Sequence, residues 1–122
     1  MRKYGNVKVK IDNHTFDSKM EADYYYYLKV KKSKNEIKSF TVHPTIVVQD
    51  SFKFKGKTVK AITYTPDFVV HNIDGTIDFI DVKGVKTQEF RIKEKMLKYL
   101  YRNVSNYDVY CITLVGETWV RI

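Results

Sequence analysis

Residues 64–84, YTPDFVVHNIDGTIDFIDVKG, constrain the fold more than any other segment. The runs Phe68-Val69-Val70 and Ile77 to Val82 have the apolar and β-branched character of buried strands. Between them, Asp74-Gly75 carries turn chemistry. A three-residue loop Ile73-Asp74-Gly75, with Gly75 in the left-handed conformation, pairs Asn72 with Thr76. That register sets His71 opposite Ile77, Val69 opposite Phe79, and Asp67 opposite Asp81. Directly opposed Cβ atoms in an antiparallel pair lie about 4.5–5.5 Å apart. Two carboxylates that close, in strands that otherwise read as core, need something to neutralise them.

A divalent cation does this well, and oxygen ligands around a site with open water positions suit Mg²⁺, with Mn²⁺ as a substitute. Lys83 follows Asp81 by two residues and so shares its strand face. An ammonium beside a metal-bound phosphate can orient an attacking water or stabilise charge in the transition state. Two acids, a metal and a lysine suit phosphodiester hydrolysis. A structural ion pair, with Lys83 simply neutralising the aspartates, is the competing explanation. The cost of burying such a cluster without function favours catalysis.

The charge balance fits a polyanionic partner. Lys and Arg number 22 against 14 acids, for a formal charge of +8. Nucleic acid or an anionic surface is the expected partner of that balance, and a basic face serving only solubility is the alternative. At 122 residues a single domain over 1–122 is expected. The lone Cys111, inside VYCITLV, excludes a disulfide framework and reads as a buried, inert thiol. No apolar run is long enough to span a membrane, and MRKYGNVKVK lacks a signal-peptide core. A soluble intracellular protein is expected.

Along the chain the order is β, α, several strands, α, then a final hairpin. Val7, Val9 and Ile11 alternate with lysines as in a half-exposed strand, and Asp12-Asn13 makes a turn. Ser18 with Glu21 forms a capping box, so a first helix starts near Lys19, with Met20, Tyr24, Tyr27 and Leu28 facing the core. Residues 37–49 are strand-like, with Pro44 marking an edge or break. A basic hairpin turns at Gly56 and carries Lys53, Lys55, Lys57 and Lys60. A second helix over about 88–103 presents Phe90, Leu97, Leu100, Tyr101 and Val104 on one stripe. On another stripe of it lie Arg91, Lys95, Lys98 and Arg102, suited to phosphate contact or to a solvated face. Two strands joined at Gly116-Glu117 close the chain. The expected class is α/β, a central mixed β-sheet flanked by α-helices. The three histidines carry little weight here, and with no His/Cys spacing of the zinc type a transition-metal site is not expected.

Pro66-Asp67 followed, after thirteen intervening residues, by Asp81-Val82-Lys83 resembles the PD-(D/E)XK nuclease motif. The strings TYTPDFVV and IDVKG resemble those of phage endonuclease I type Holliday junction resolvases. From KYGNVKV through FDSKMEA to DVKG, the chain is similar to a small phage-encoded family placed in that superfamily. The resemblance implies a restriction-endonuclease-like core and a Mg²⁺-dependent endodeoxyribonuclease. It also implies a homodimer, because two symmetric strands must be cut, acting in the host cell cytoplasm. Asp67 and Asp81 would hold the metal, Glu21 would help bind it or its water, and Lys83 would assist attack. Glu21 is also the third helical residue of the capping box, so both roles stay open, with Asp17 and Asp23 as fallback acids. DNA contacts would come from Arg91, Lys95, Lys98 and Arg102, and from Lys53, Lys55 and Lys57. The alternatives are a non-catalytic DNA-binding module of the same fold, or a nuclease for flaps, nicks or plain duplex.

Overall fold

The computed structural model describes residues 7–122; the stretch MRKYGN, part of the resemblance above, lies outside the described residues. A short hairpin, β1 (Val9–Ile11) and β2 (His14–Phe16), leads into α1 (Lys19–Ser33). Strand β3 (Ser39–Val42) follows, and then β4 (Ile46–Gln49), β5 (Phe52–Phe54), β6 (Lys57–Val59) and β7 (Ile62–Tyr64). The next two strands, β8 (Phe68–His71) and β9 (Ile77–Val82), flank the Asp74-Gly75 turn. Helix α2 (Gln88–Leu100) then crosses to β10 (Tyr107–Val115), and β11 (Thr118–Arg121) ends the chain.

The central sheet has the order β11-β10-β9-β8-β3 and is mixed. Strands β9 and β10 are parallel, as a helical crossover between neighbouring strands allows, and the other neighbours are antiparallel. The β8–β9 hairpin has the expected register, with Val69 opposite Phe79 and His71 opposite Ile77. The turn closes as its residues require. Asn72 donates to the Thr76 carbonyl at 2.9 Å, and Gly75 sits at φ +90°, where a side chain would be strained.

Alternation along β8 and β9 divides the core in two. Phe68, Val70, Ile80 and Val82 face α1 and the β1–β2 hairpin, packing with Phe16, Ala22, Tyr24, Tyr25 and Leu28. Val69 and Phe79 face the other way, against Phe90 and Leu97 of α2 with Tyr64, Val109 and Cys111. Burial pushes the Cys111 thiol up to about 12, as suits an inert core cysteine.

Helix α1 departs from its expected face. Tyr25 is buried and Tyr27 is 39% exposed, the reverse of a simple core stripe. The β1–β2 hairpin covers the helix on the Tyr25 side, where Phe16 packs on the ring and Asp12 accepts its hydroxyl at 2.7 Å. Tyr27 stacks on Tyr24 at the sheet's edge beside Trp119. Helix α2 ends at Leu100, three residues earlier than expected, and Leu100 and Val104 are exposed. Tyr101 instead stacks on Tyr107 and Phe79.

Candidate functional site

Asp67 stands just before β8, and Asp81 is the penultimate residue of β9, so the hairpin register places them across from each other. The Asp67 amide donates to Asp81 Oδ1 at 3.0 Å, and the Val82 amide donates to Asp67 Oδ2 at 2.8 Å. Tyr64, at the end of β7, donates its hydroxyl to Asp81 Oδ2 at 2.6 Å. Both oxygens of the buried Asp81 therefore have a donor, and each keeps a second lone pair. Tyr64 is itself braced edge-on by Phe90 of α2, and burial beside Asp81 raises its pKa, keeping it a donor.

Glu21 reaches the same place from α1. Ser18 Oγ accepts from the Glu21 amide at 3.1 Å, so the hydroxyl half of the capping box forms. The Glu21 carboxylate turns instead to His43, whose Nε2 lies 2.6 Å from Oε1. His43 sits at φ +51° directly after β3, and its amide donates to the Asp67 carbonyl at 3.0 Å. Glu21, His43 and Asp67 each offer a ligand atom within 4.8 Å of the others, the one such acid–histidine group among the described residues.

This crowd of carboxylates is poorly solvated. Burial, then the Asp81 and Glu21 carboxylates, push Asp67 up to about 8, against the opposing pull of the Val82 amide and Lys83. Burial and then Asp17 push Glu21 up to about 7. Acids held in this way bind a proton or a cation, and a metal ion is the stronger neutraliser of several at once. Two carboxylates and an imidazole are an acceptable ligand set, and the pairing of Glu21 with His43 shows the side chains already converge.

A cleft of about 340 Å³ opens onto this cluster, lined by Asp67, Asp81, Lys83, Tyr64 and Thr65, with Thr87 and Lys93 from the α2 side. Lys83 is half-buried just past β9, its amide tied to the Ile112 carbonyl at 3.0 Å. Glu21, Asp67, Asp81 and Lys83 thus come together from α1, β8 and β9. Asp17 also borders the cleft, whereas Asp23 is engaged with Lys19 on the far side of the first helical turn.

The chain matches, over residues 1–114, the family described as "Protein of unknown function (DUF1064)". It belongs to that family. No curated protein and no solved structure matches it.

In this DUF1064 chain the positively charged candidates fall into two places. Arg91, Lys95, Lys98 and Arg102 are exposed; Lys98 pairs with Glu94 at 3.6 Å, and Arg102 stacks on Tyr99. At about 100° per residue Arg91, Lys95 and Lys98 lie on the side of α2 turned away from Lys93, the helix residue that borders the cleft, whereas Arg102, expected on the same stripe, lies past the helix end. Lys53, Lys55 and Lys57 are exposed on the β5–β6 hairpin.

Three site residues were not legible from their local sequence. His43 carries little weight in the sequence, where it only precedes Pro44, yet in the fold its ring meets Glu21 in a group that could hold a cation. Its place depends on a left-handed backbone at a strand end and on a partner 22 positions away, neither marked by a spacing motif. Lys93 donates to the Thr63 carbonyl, which fixes it at the cleft wall, and no periodicity distinguishes it from its neighbours. Tyr64 had a weak signal, as the polar-tipped aromatic of an otherwise strand-like TYTPD. No helix among the described residues is long and apolar enough to cross a membrane.

Proposed function

We propose that this chain is a metal-dependent DNA endonuclease with a restriction-endonuclease-like core, and that branched DNA such as a Holliday junction is its substrate. The observation that carries the reading is the convergence of Asp67 and Asp81 with Lys83 at one cleft, with Glu21 delivered onto Asp67 from α1. Those are the residue types, in the chain order, of the PD-(D/E)XK motif.

Asp67, Glu21 and His43 would hold the ion, with Asp81 lending its remaining lone pairs. When bound, Mg²⁺ or Mn²⁺ supplies Lewis acidity toward a phosphate oxygen and a more acidic water. The imidazole favours Mn²⁺ over Mg²⁺ relative to an all-oxygen site. Tyr64 and the Asp67 amide keep Asp81 oriented while the ion is exchanged. Lys83, in the cleft beside both aspartates, orients the attacking water and offsets charge on the phosphate. Lys93, on the α2 side of the same cleft, would contact a neighbouring phosphate. Water attacks phosphorus and gives up a proton to solvent, the bond to one ester oxygen breaks, and that oxygen leaves with a proton taken from solvent.

The net charge of +8 supports a polyanionic substrate. A homodimer follows if two symmetric strands are cut, and a phage-encoded enzyme working in the host cytoplasm belongs to the same reading. Incubation with a labelled four-way junction and a matched linear duplex, with Mg²⁺, Mn²⁺ or EDTA, tests it. Paired, metal-dependent nicks in the junction alone are expected. Binding without cleavage under every metal would sink the enzyme reading, and equal cutting of plain duplex would remove the junction.

A further inference from the structure

Among the described residues nothing buries the β5–β6 hairpin: every residue from 51 to 60 is exposed. Phe54 is 60% and Phe52 47% exposed, in a protein that buries Phe16, Phe68, Phe79 and Phe90 almost completely. Leaving two phenylalanine rings in water forgoes the stabilisation that burial brings. The register pairs Phe52 with Val59 and Phe54 with Lys57, so Phe52, Phe54 and Val59 share one face of the ribbon. Lys53 and Thr58 occupy the other face, joined at 2.6 Å. Lys55, in the turn, sets its ammonium 5.6 Å from the Phe54 ring. Between Asp50 and Asp67 there is no acidic residue, while lysines stand at 53, 55, 57 and 60.

The hairpin is rooted at the cleft. It extends the β4–β7 pair, and β7 carries Thr63, which accepts from Lys93, and Tyr64, which donates to Asp81. The tip at Lys55-Gly56 lies seven to eight residues before Thr63, so it stands within about 30 Å of the cleft wall. Exposed rings ringed by lysines suit a partner with flat apolar faces and regularly spaced anions. Protein interfaces share the taste for aromatics but are depleted in lysine, which makes nucleic acid the better match.

We propose that the β5–β6 hairpin is a base-stacking arm for nucleic acid with unstacked bases. Phe52 and Phe54 take bases on their ring faces, and Lys53, Lys55 and Lys57 grip the flanking phosphates. Paired duplex hides its base faces, so the arm selects single-stranded segments and the open centre or ends of branched DNA. This deepens the nuclease reading by naming what marks the substrate, and it rests on that reading only for where the cut falls.

Binding is measured in EDTA, without cleavage, by fluorescence anisotropy on a single-stranded oligonucleotide, a four-way junction and a blunt duplex. A second set of the same DNAs carries 2-aminopurine, whose emission is quenched on stacking. The wild-type chain should prefer the single strand and the junction and quench 2-aminopurine. The double variant Phe52→Ser/Phe54→Ser should lose about tenfold or more on those two DNAs, lose the quenching, and bind duplex much as before. Lys53→Gln/Lys55→Gln/Lys57→Gln should weaken all three and flatten the salt dependence. Circular dichroism checks that each variant keeps its fold. Unchanged affinity and quenching in the Phe variant would overturn the proposal, as would loss of self-association with DNA binding intact. Stacking by a chain that cuts nothing in Mg²⁺ or Mn²⁺ supports the arm while removing the nuclease reading.

Discussion

Asp67 and Asp81 hold each other through the backbone: the amide of Asp67 donates to Asp81 Oδ1 at 3.0 Å. The next residue of the partner strand returns the bond, Val82 donating to Asp67 Oδ2 at 2.8 Å. Neither carboxyl group can swing away without giving up a backbone donor, so the two stay close although burial and proximity disfavour charge on both. This is a site pre-organised at the expense of its own comfort, which is how binding sites for cations are commonly built.

The metal-free protein should therefore lose stability as pH rises. Asp67 is pushed from an ordinary 3.8 to about 8, and Glu21 from 4.5 to about 7. Acids with raised folded values contribute stability that is complete below the unfolded values and is lost as pH climbs through the folded ones. In EDTA the Tm should fall from about pH 4 to about pH 8, and Mn²⁺ should restore most of it at the alkaline end. Asp67→Asn should flatten the fall, abolish cleavage, and leave DNA binding equal or tighter, since one repulsive charge near phosphate is gone. A Tm that rises over this range in EDTA would contradict the coupling of these acids.

His43 should matter to the metal and not to the fold's core. Its ring is one-third exposed and lies 2.6 Å from Glu21. His43→Ala should weaken Mn²⁺ affinity by about 10- to 100-fold, the range found when even an outer-shell partner is lost. Isothermal titration of the apo protein with Mn²⁺ measures this directly. The preference for Mn²⁺ over Mg²⁺ should shrink as well, because the imidazole is its source. An unchanged affinity would leave His43 as a structural partner of Glu21.

What the sequence disclosed and what it hid follow a physical division. The Asp67–Asp81 juxtaposition was legible because the Asp74-Gly75 turn sets a register and a register is periodic. Ser18 made the start of α1 legible, since capping is a local, four-residue signal, but Glu21's place in the site came only from the motif resemblance. His43 was hidden because its position depends on docking β3 beside β8. The faces of the two helices were half legible. Periodicity gives the stripes on α2, but which stripe borders the cleft depends on how the helix settles on the sheet, and Lys93 rather than the Arg91–Arg102 row ends there. Likewise Tyr25 and Tyr27 differ only in which side of α1 the β1–β2 hairpin covers. The restriction-endonuclease-like core rests on motif resemblance, whereas the mixed sheet with α2 between its parallel strands stands in the structure.

Tyr64 separates stability from chemistry. Tyr64→Phe keeps the ring against Phe90 and removes only the hydroxyl that donates to the buried Asp81. Losing a hydrogen bond to a charged, buried acceptor costs about 1.5–3 kcal/mol, readable as a shift in urea midpoint at constant m-value. Because Asp81 also loses an orienting partner, cleavage in saturating Mn²⁺ should slow while DNA affinity stays the same. A variant as stable as wild type would mean that water replaces the hydroxyl.

Glu21 and Ser18 can be set apart although one capping box joins them. Ser18→Ala removes the acceptor of the Glu21 amide and should cost about 1 kcal/mol by urea unfolding. The carboxylate still meets His43 and Asp67, so Mn²⁺ affinity should change little. Glu21→Gln should do the reverse. It keeps the cap, since Ser18 bonds to the backbone, and it removes a buried charge that repels Asp67. Stability in EDTA at pH 8 should rise, Mn²⁺ affinity should drop, and the fall of Tm with pH should become shallower. If Ser18→Ala lowers metal affinity as much as Glu21→Gln does, Glu21 acts by anchoring the helix rather than by ligating the ion.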